Sequence, residues 1–285
     1  MIWLKKYLSR LFPAMKLGPI GLVFLVAACA SDEGRQRPTP SPKAVEATSV
    51  DTLLRIAGTT RASGNLASAA GIYQRAHDHA PQRTEPLFEL GITLRAANAP
   101  SKAAEAFRAV LNIDPNHARA LKALARTLLD LNQPQLAFEA FEKLSQLDPA
   151  NVSALNGMGV ARDHAGAHKA AQIYYRKALA RSPDSISARN NLGLSLAFSG
   201  NYDAAIELLK DVAADTKATP RERQNLALAY GLAGDFEAAE RVGRIDEAET
   251  VVQNNLAYYR HLQTLSDTDR ANSAMTRHRD ADTTR

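Results

Sequence analysis

Cysteine is almost missing from this sequence. Cys29 is the only one in 285 residues, which excludes a disulfide framework and any zinc site built from cysteines. Aromatic residues reach only 6%, with Trp3 the single tryptophan, so the 45% hydrophobic content is carried by Ala, Leu, Val and Ile. Fifteen glycines and 13 prolines are too few for a collagen-like or low-complexity chain. The longest uncharged apolar run, Leu17–Ala28, falls short of the roughly 18–20 residues that cross a bilayer, and Gly18, Pro19 and Gly21 interrupt it. There is no P-loop, G-x-G-x-x-G, G-x-S-x-G or H-E-x-x-H motif. Nucleic-acid binding finds little support either. The net charge is +5, but Lys5, Lys6, Arg10 and Lys16 lie in the first 28 residues, which hold no acid; taking those four from the 35 basic residues leaves 31 against 30 acidic ones.

What is present begins with an export signal. A basic stretch with no acid precedes Leu17–Ala28, the layout of a signal peptide over residues 1–28; Met15-Lys16 can itself open a compact version of it. The run closes on Val26-Ala27-Ala28-Cys29, which resembles the bacterial lipobox, in which the cysteine is cleaved to become residue one and lipidated. That resemblance implies lipidation at Cys29, and multiple acyl chains suffice for stable anchoring. Ala30 after the cysteine, by similarity to known sorting behaviour, implies the outer membrane; the protein is expected to face the periplasm. Residues 29–49, with Pro38, Pro40 and Pro42 among polar residues, read as a semi-extended tether of roughly 3 Å per residue.

Beyond residue 49 the sequence repeats. Pro81, Pro115, Pro149 and Pro183 are evenly spaced at 34 residues, the period of tetratricopeptide repeats. Starting repeats at Val50, Thr84, Ala118, Val152, Ile186 and Pro220 aligns the other columns. The twentieth position is Ala69, Ala103, Ala137, Ala171, Ala205 and Ala239. The eighth is always Gly or Ala, from Ala57 to Ala227, and the fifteenth always Gly or Asn: Gly64, Asn98, Asn132, Gly166, Gly200, Gly234. Apolar positions 4, 7, 8 and 11 define one face of a first helix, and positions 20, 24 and 27 the facing stripe of a second. Small residues at 8 and 20 let two helices approach closely. Gly or Asn at 15 suits a left-handed residue ending the first helix, and Pro100 and Pro134 suit the start of the second. The aromatics Tyr73, Phe107, Phe141 and Tyr175 at position 24 fill wedges between repeats.

The pattern weakens in the last repeats, where Leu209 and then Gly243 replace the aromatic. Arg162 at position 11 is off-pattern and is expected to snorkel from the seam. A further helix over about Asp246–Leu265 is expected to cap the stack. The fold class is therefore all-α: a right-handed α-solenoid of about six tetratricopeptide helix-turn-helix repeats with a C-terminal capping helix, spanning residues 50–265. Residues 266–285, with four Arg, four Asp and no hydrophobic period, read as a disordered tail.

Nothing in the chain reads as an active site. His77-x-His79 and His164-x-x-x-His168 read as helix-end and turn residues rather than metal ligands, and no metal or cofactor is expected. What the stack offers is a concave surface lined by first helices. Repeats one to three supply Arg61, Arg95, Arg119, Lys122 and Arg126, offset by Asp51, Glu85 and Asp130. Repeats four to six supply Asn156, Asn190, Asn191, Gln224 and Asn225, and the terminal helix Asn254 and Asn255. Side-chain amides offer donor and acceptor together, so such a row can grip a peptide backbone of any sequence; the same residues can also decorate exposed helix or cap turns. Asn156, Asn190, Asn191, Asn225 and Asn255 are the candidate backbone-holding residues, with Lys122 and Arg126 to receive an acidic or C-terminal group.

The run Arg223-Gln224-Asn225-Leu226-Ala227-Leu228-Ala229-Tyr230-Gly231-Leu232-Ala233-Gly234-Asp235, followed by Asn254-Asn255-Leu256-Ala257-Tyr258-Tyr259, resembles the TadD family, the lipoproteins of the tight-adherence (Flp) pilus assembly apparatus. The lipobox, tether and repeats share that family's layout. The resemblance implies a non-enzymatic accessory that helps the pilus secretin, or another Tad component, assemble at the outer membrane. A general envelope scaffold of the same build, docking peptidoglycan hydrolases or assisting barrel insertion, is the alternative.

Overall fold

The computed structural model describes residues 49–283, all of its regular elements helical. The expected signal peptide, Cys29 and the tether up to residue 48 lie outside the described residues. Six helix pairs follow: α1 (Val50–Ala62) with α2 (Leu66–His79), α3 (Thr84–Ala96) with α4 (Pro100–Ile113), and α5 (Ala118–Asp130) with α6 (Pro134–Leu147). The next three are α7 (Val152–His164) with α8 (His168–Arg181), α9 (Ile186–Phe198) with α10 (Tyr202–Ala214), and α11 (Pro220–Ala233) with α12 (Phe236–Gly243). The chain continues through α13 (Glu249–Gln263) and α14 (Asp267–Thr283). Each of the six repeat starts taken from the sequence is the first residue of an odd-numbered helix.

The turn inside each pair has one mechanism. Gly64, Asn98, Asn132, Gly166, Gly200 and Gly234 all have φ between 55° and 87°, and they are the only positive-φ residues among those described. In all six turns the amide after this residue bonds five residues back, as from Ala99 N to Leu94 O at 2.9 Å and from Asn201 N to Leu196 O at 2.9 Å. That is the Schellman closure, which needs a left-handed residue and so selects Gly or Asn. Pro100, Pro134 and Pro220 open their helices, where no amide donor is required. Thr219 and Glu222 complete a capping box on α11.

Close crossing of each pair follows from its small residues. All six alanines at position 20 are buried. A Cβ added to Gly91 would lie 2.5 Å from the Phe107 ring, and one on Gly159 2.4 Å from the Tyr175 ring, so the position-24 aromatic rests on the glycine of its own first helix. Phe141 also reaches the next repeat, 2.4 Å from where Gly157 would carry a Cβ, which is the wedge expected between neighbours. Ala137→Leu and Ala171→Leu are each expected to overpack these crossings and cost about 1–3 kcal/mol; unchanged melting of both variants would contradict this packing. Arg162 stacks on Phe138, its guanidinium 3.8 Å from the ring centroid, and so leaves the seam as expected.

Each helix packs on its chain neighbours, and α3, α5, α7, α9, α11 and α13 also touch in succession, forming an inner layer. The apolar core has two large clusters, one running from Ala57 to Ala161 and another from Ala171 to Ala274, and two small ones around Leu121 and Leu155. The joint between the two large clusters falls at α7 and α8.

The C-terminal end departs from the repeat. α12 is only eight residues long and stops at Gly243, where the position-24 aromatic is missing. α13 takes over: Val252, Leu256, Tyr259 and Leu262 are buried, with Tyr259 against Gly231 of α11. Arg223 of α11 grips Asp246 through two bonds of 2.6 and 2.8 Å. Those bonds hold the Asp246 carboxyl below the usual carboxylate range, and bonds from Arg244 and Gln253 do the same for Glu249. A carboxyl depressed in the fold favours folding above its unfolded pKa of about 4, and that contribution disappears as pH falls through the lower folded value. Amides of α12 and α13 are therefore expected to lose exchange protection below about pH 4 before those of α3–α8; simultaneous loss along the whole stack would contradict it.

The segment read as a disordered tail is the exception to the sequence reading: residues 267–283 form α14. It shows no apolar stripe because it is held by a short apolar step and by arginines. Ala274 is 1% exposed, and Arg270 donates to the carbonyls of Leu262 and Leu265.

Candidate protein-binding groove

The inner layer presents the residues expected to face a groove, and its two halves differ. In the N-terminal half most cations are already engaged. Arg61 pairs with Glu89 at 2.6 Å and Arg95 with Asp130 at 2.8 Å, each bridging consecutive inner helices. Arg119 lies over the Phe88 ring at 4.4 Å. Among the described residues, Lys122 and Arg126 have no acidic side chain within ion-pair distance. They are one turn apart on α5. Burial lowers the Lys122 pKa, and the neighbouring Arg126 charge lowers it further. Two like charges with no counter-ion form a place where an incoming carboxylate gains on both.

The asparagines form a relay. Asn225 donates its side-chain amide to Asn190 at 2.9 Å, Asn190 to Asn191 at 3.4 Å, and Asn191 to Asn156 at 3.2 Å. Four amides thus run in one direction from α11 through α9 to α7. This corrects part of the expectation from sequence. Asn190 and Asn225 are each 3% exposed and spend their hydrogen bonds on the helix seam, so they set the spacing of inner helices rather than meet a ligand. Asn255 accepts from Arg277 of α14 at 2.8 Å. Asn156 and Asn191 remain half-buried.

A second polar cluster sits at the joint between the two core halves. Asp163, 4% exposed, accepts from Tyr175 at 2.7 Å and Ser195 at 2.8 Å and is bonded to His168 Nδ1 at 2.8 Å. Burial raises the Asp163 pKa against the opposing pull of these bonds, and burial followed by the Asp163 charge pushes the Tyr175 phenol well up. The residue types invite comparison with a nucleophilic triad, but the wiring differs. Ser195 Oγ is bonded to the carboxylate and to the His168 carbonyl at 3.1 Å, so no imidazole takes its proton. The cluster ties α7, α8 and α9 together. In the sequence His168 stands out only beside His164, and Asp163 does not stand out at all. The available signal was an acid at position 12, where the other repeats carry Arg61, Arg95, Leu129, Ala197 and Gly231, with Ser195 in a column otherwise of Thr and Ala.

Beside this cluster lies a cavity of about 290 Å³ on the concave side, lined by Arg126, Val160, Asn191, Leu194 and Phe198 among others, with Met275 of α14 forming part of its wall. Among the described residues no three His, Cys, Asp or Glu side chains converge as a metal site, and no helix is long and apolar enough to cross a membrane.

Two tetratricopeptide-repeat family profiles match the chain, one over residues 61–127 and one over 122–186. Among solved structures, a tetratricopeptide-repeat protein from Parabacteroides merdae aligns over 76% of this chain and 86% of its own, with TM-score 0.64 and 14% identity. PilF of Pseudomonas aeruginosa aligns over 73% of this chain and 97% of its own, with TM-score 0.57 and 18% identity. MamA from Desulfovibrio magneticus RS-1, beginning at its residue 41, aligns over 57% and 92%, with TM-score 0.53 and 24% identity. At these identities the likeness concerns the fold alone. No curated protein matches the chain significantly.

Proposed function

We propose that this chain, a tetratricopeptide-repeat protein and hence a protein-interaction scaffold, is a lipid-anchored outer-membrane accessory of the tight-adherence (Flp) pilus machine. In this reading it faces the periplasm, carries out no chemistry, and holds a segment of the pilus secretin or another Tad component on its concave face. The observation that carries the reading is the Lys122–Arg126 pair: two cations on an inner helix with no acidic side chain in ion-pair distance among the described residues, while Arg61 and Arg95 on the neighbouring inner helices are neutralised. Such a pair receives an acidic side chain or a terminal carboxylate, and Asn156 and Asn191 lie beside it to bond peptide backbone. The C-terminal similarity to TadD supplies the pilus.

A deletion strain tests the assignment. Loss of surface pili and of secretin multimers with normal envelope integrity is expected; envelope defects with normal piliation would favour the general scaffold instead. The anchor is tested separately. Cys29→Ser is expected to abolish palmitate labelling and to leave uncleaved precursor at the inner membrane, and labelling that persists would remove the lipoprotein reading.

A further inference from the structure

α14 is packed unlike any other helix of the chain. It lies across α9 and α13 on the inner layer. Its sequence, from Asp267 to Thr283, contains no apolar residue larger than alanine except Met275. Ala274 is buried, and Met275 packs against the apolar cluster of Leu194 and Phe198 and lines one cavity with them and Val160. Arg277 sits 4.0 Å from the Tyr258 ring centroid and donates to Asn255 at 2.8 Å. Arg270 reaches the Tyr202 hydroxyl at 3.2 Å. A two-residue apolar step and two arginines hold α14, against four buried anchors for α13. Helices with so few buried apolar contacts open well below the global unfolding free energy. A short turn, Thr264–Ser266, keeps α14 beside its seat, at an effective concentration in the millimolar range or above.

We propose that the concave face of repeats four to six is a helix-binding surface whose resident ligand is α14. The partner it fits is a helix of the same chemistry: a small residue, then an unbranched apolar residue for the Val160–Leu194–Phe198 cavity, and an arginine two residues further for Asn255 and Tyr258. An incoming helix displaces α14 to reach this seat, while Lys122 and Arg126 stay open beside it. The inference rests on the reading that the groove takes a protein segment, but on no particular partner.

The probe is a fluorescein-labelled peptide of residues 264–283, added in trans to the full-length protein. In the double variant Ala274→Asp/Met275→Asp, hydrogen exchange in α14 is expected to rise while α3–α10 stay protected. The labelled peptide is expected to bind that variant at least ten-fold more tightly than it binds wild type. Peptides carrying Met275→Asp or Ser273→Pro are expected not to bind. Equal binding to wild type and variant, or no binding to either, overturns the proposal; equal binding of the Met275→Asp peptide shows that the cavity is not the seat and overturns it, and equal binding of the Ser273→Pro peptide overturns its helical form. Should the double variant fail to fold by circular dichroism, Arg277→Ala replaces it. That variant is expected to raise α14 exchange and peptide binding several-fold, and no change in either is the contrary result. Because the probe is the chain's own segment, failure here leaves the piliation test of the proposed function standing.

Discussion

Asp163→Ala is expected to destabilise the protein by about 3–5 kcal/mol, since each buried partner left unsatisfied costs about 1–3 kcal/mol. The carboxylate is the shared acceptor of Tyr175 and Ser195 and the partner of His168; removing it strands the Tyr175 hydroxyl and His168 Nδ1 and leaves Ser195 only the His168 carbonyl. The position makes the loss more visible. Asp163 lies where one apolar cluster ends and the next begins, so its polar bonds act at that joint together with the apolar contacts of Val160 and Tyr175. Repeat stacks gain stability from neighbour interfaces, and weakening a central one lowers cooperativity along the array. Urea unfolding of Asp163→Ala is therefore expected to show an earlier and broader transition, with Asp163→Asn in between because it keeps an acceptor. A loss below about 1 kcal/mol for the alanine variant would mean that the cluster is not a structural tie.

The second large effect concerns partner binding. Lys122→Glu/Arg126→Glu reverses two charges that make no ion pair among the described residues, so the change breaks no salt bridge of the fold. A partner carboxylate held there meets repulsion in place of attraction, and truncating such charge pairs alone costs about 2–5 kcal/mol of binding. Secretin multimers and surface pili are expected to fall to the level of the deletion strain, with the variant folded and exported normally. As a control, Arg95→Glu disturbs a cation already paired with Asp130 and is expected to act mainly on stability. Wild-type multimers in the charge-reversed strain would remove Lys122 and Arg126 from the site.

Much of the fold was legible because each repeat must solve the same packing problem. Position 15 had to be left-handed, which leaves Gly or Asn; position 20 had to be small, which leaves Ala. Both rules are local and survive in a single sequence. The amide row was legible as a pattern but not in its role. Asn190 and Asn225 differ from Asn156 and Asn191 only in burial, which depends on how neighbouring helices close over the seam. The Asp163 cluster joins residues 12 and 32 positions apart through one turn and one repeat interface, a distance no periodic template covers. α14 escaped for the opposite reason. Its docking uses one apolar step and two arginines, too little to leave a period, and its helicity is supplied by the surface beneath it.

The central claim is that a protein partner sits on the inner face, and site-specific photo-crosslinking in piliated cells tests it most directly. The photoreactive residue is placed in turn at Arg126 and Asn156 on inner helices and at the exposed Ile173 on α8. Capture of the secretin or another pilus-assembly protein from positions 126 and 156, and not from 173, is the predicted result. Capture of that protein from 173 alone, or of a peptidoglycan hydrolase from the inner positions, would contradict it.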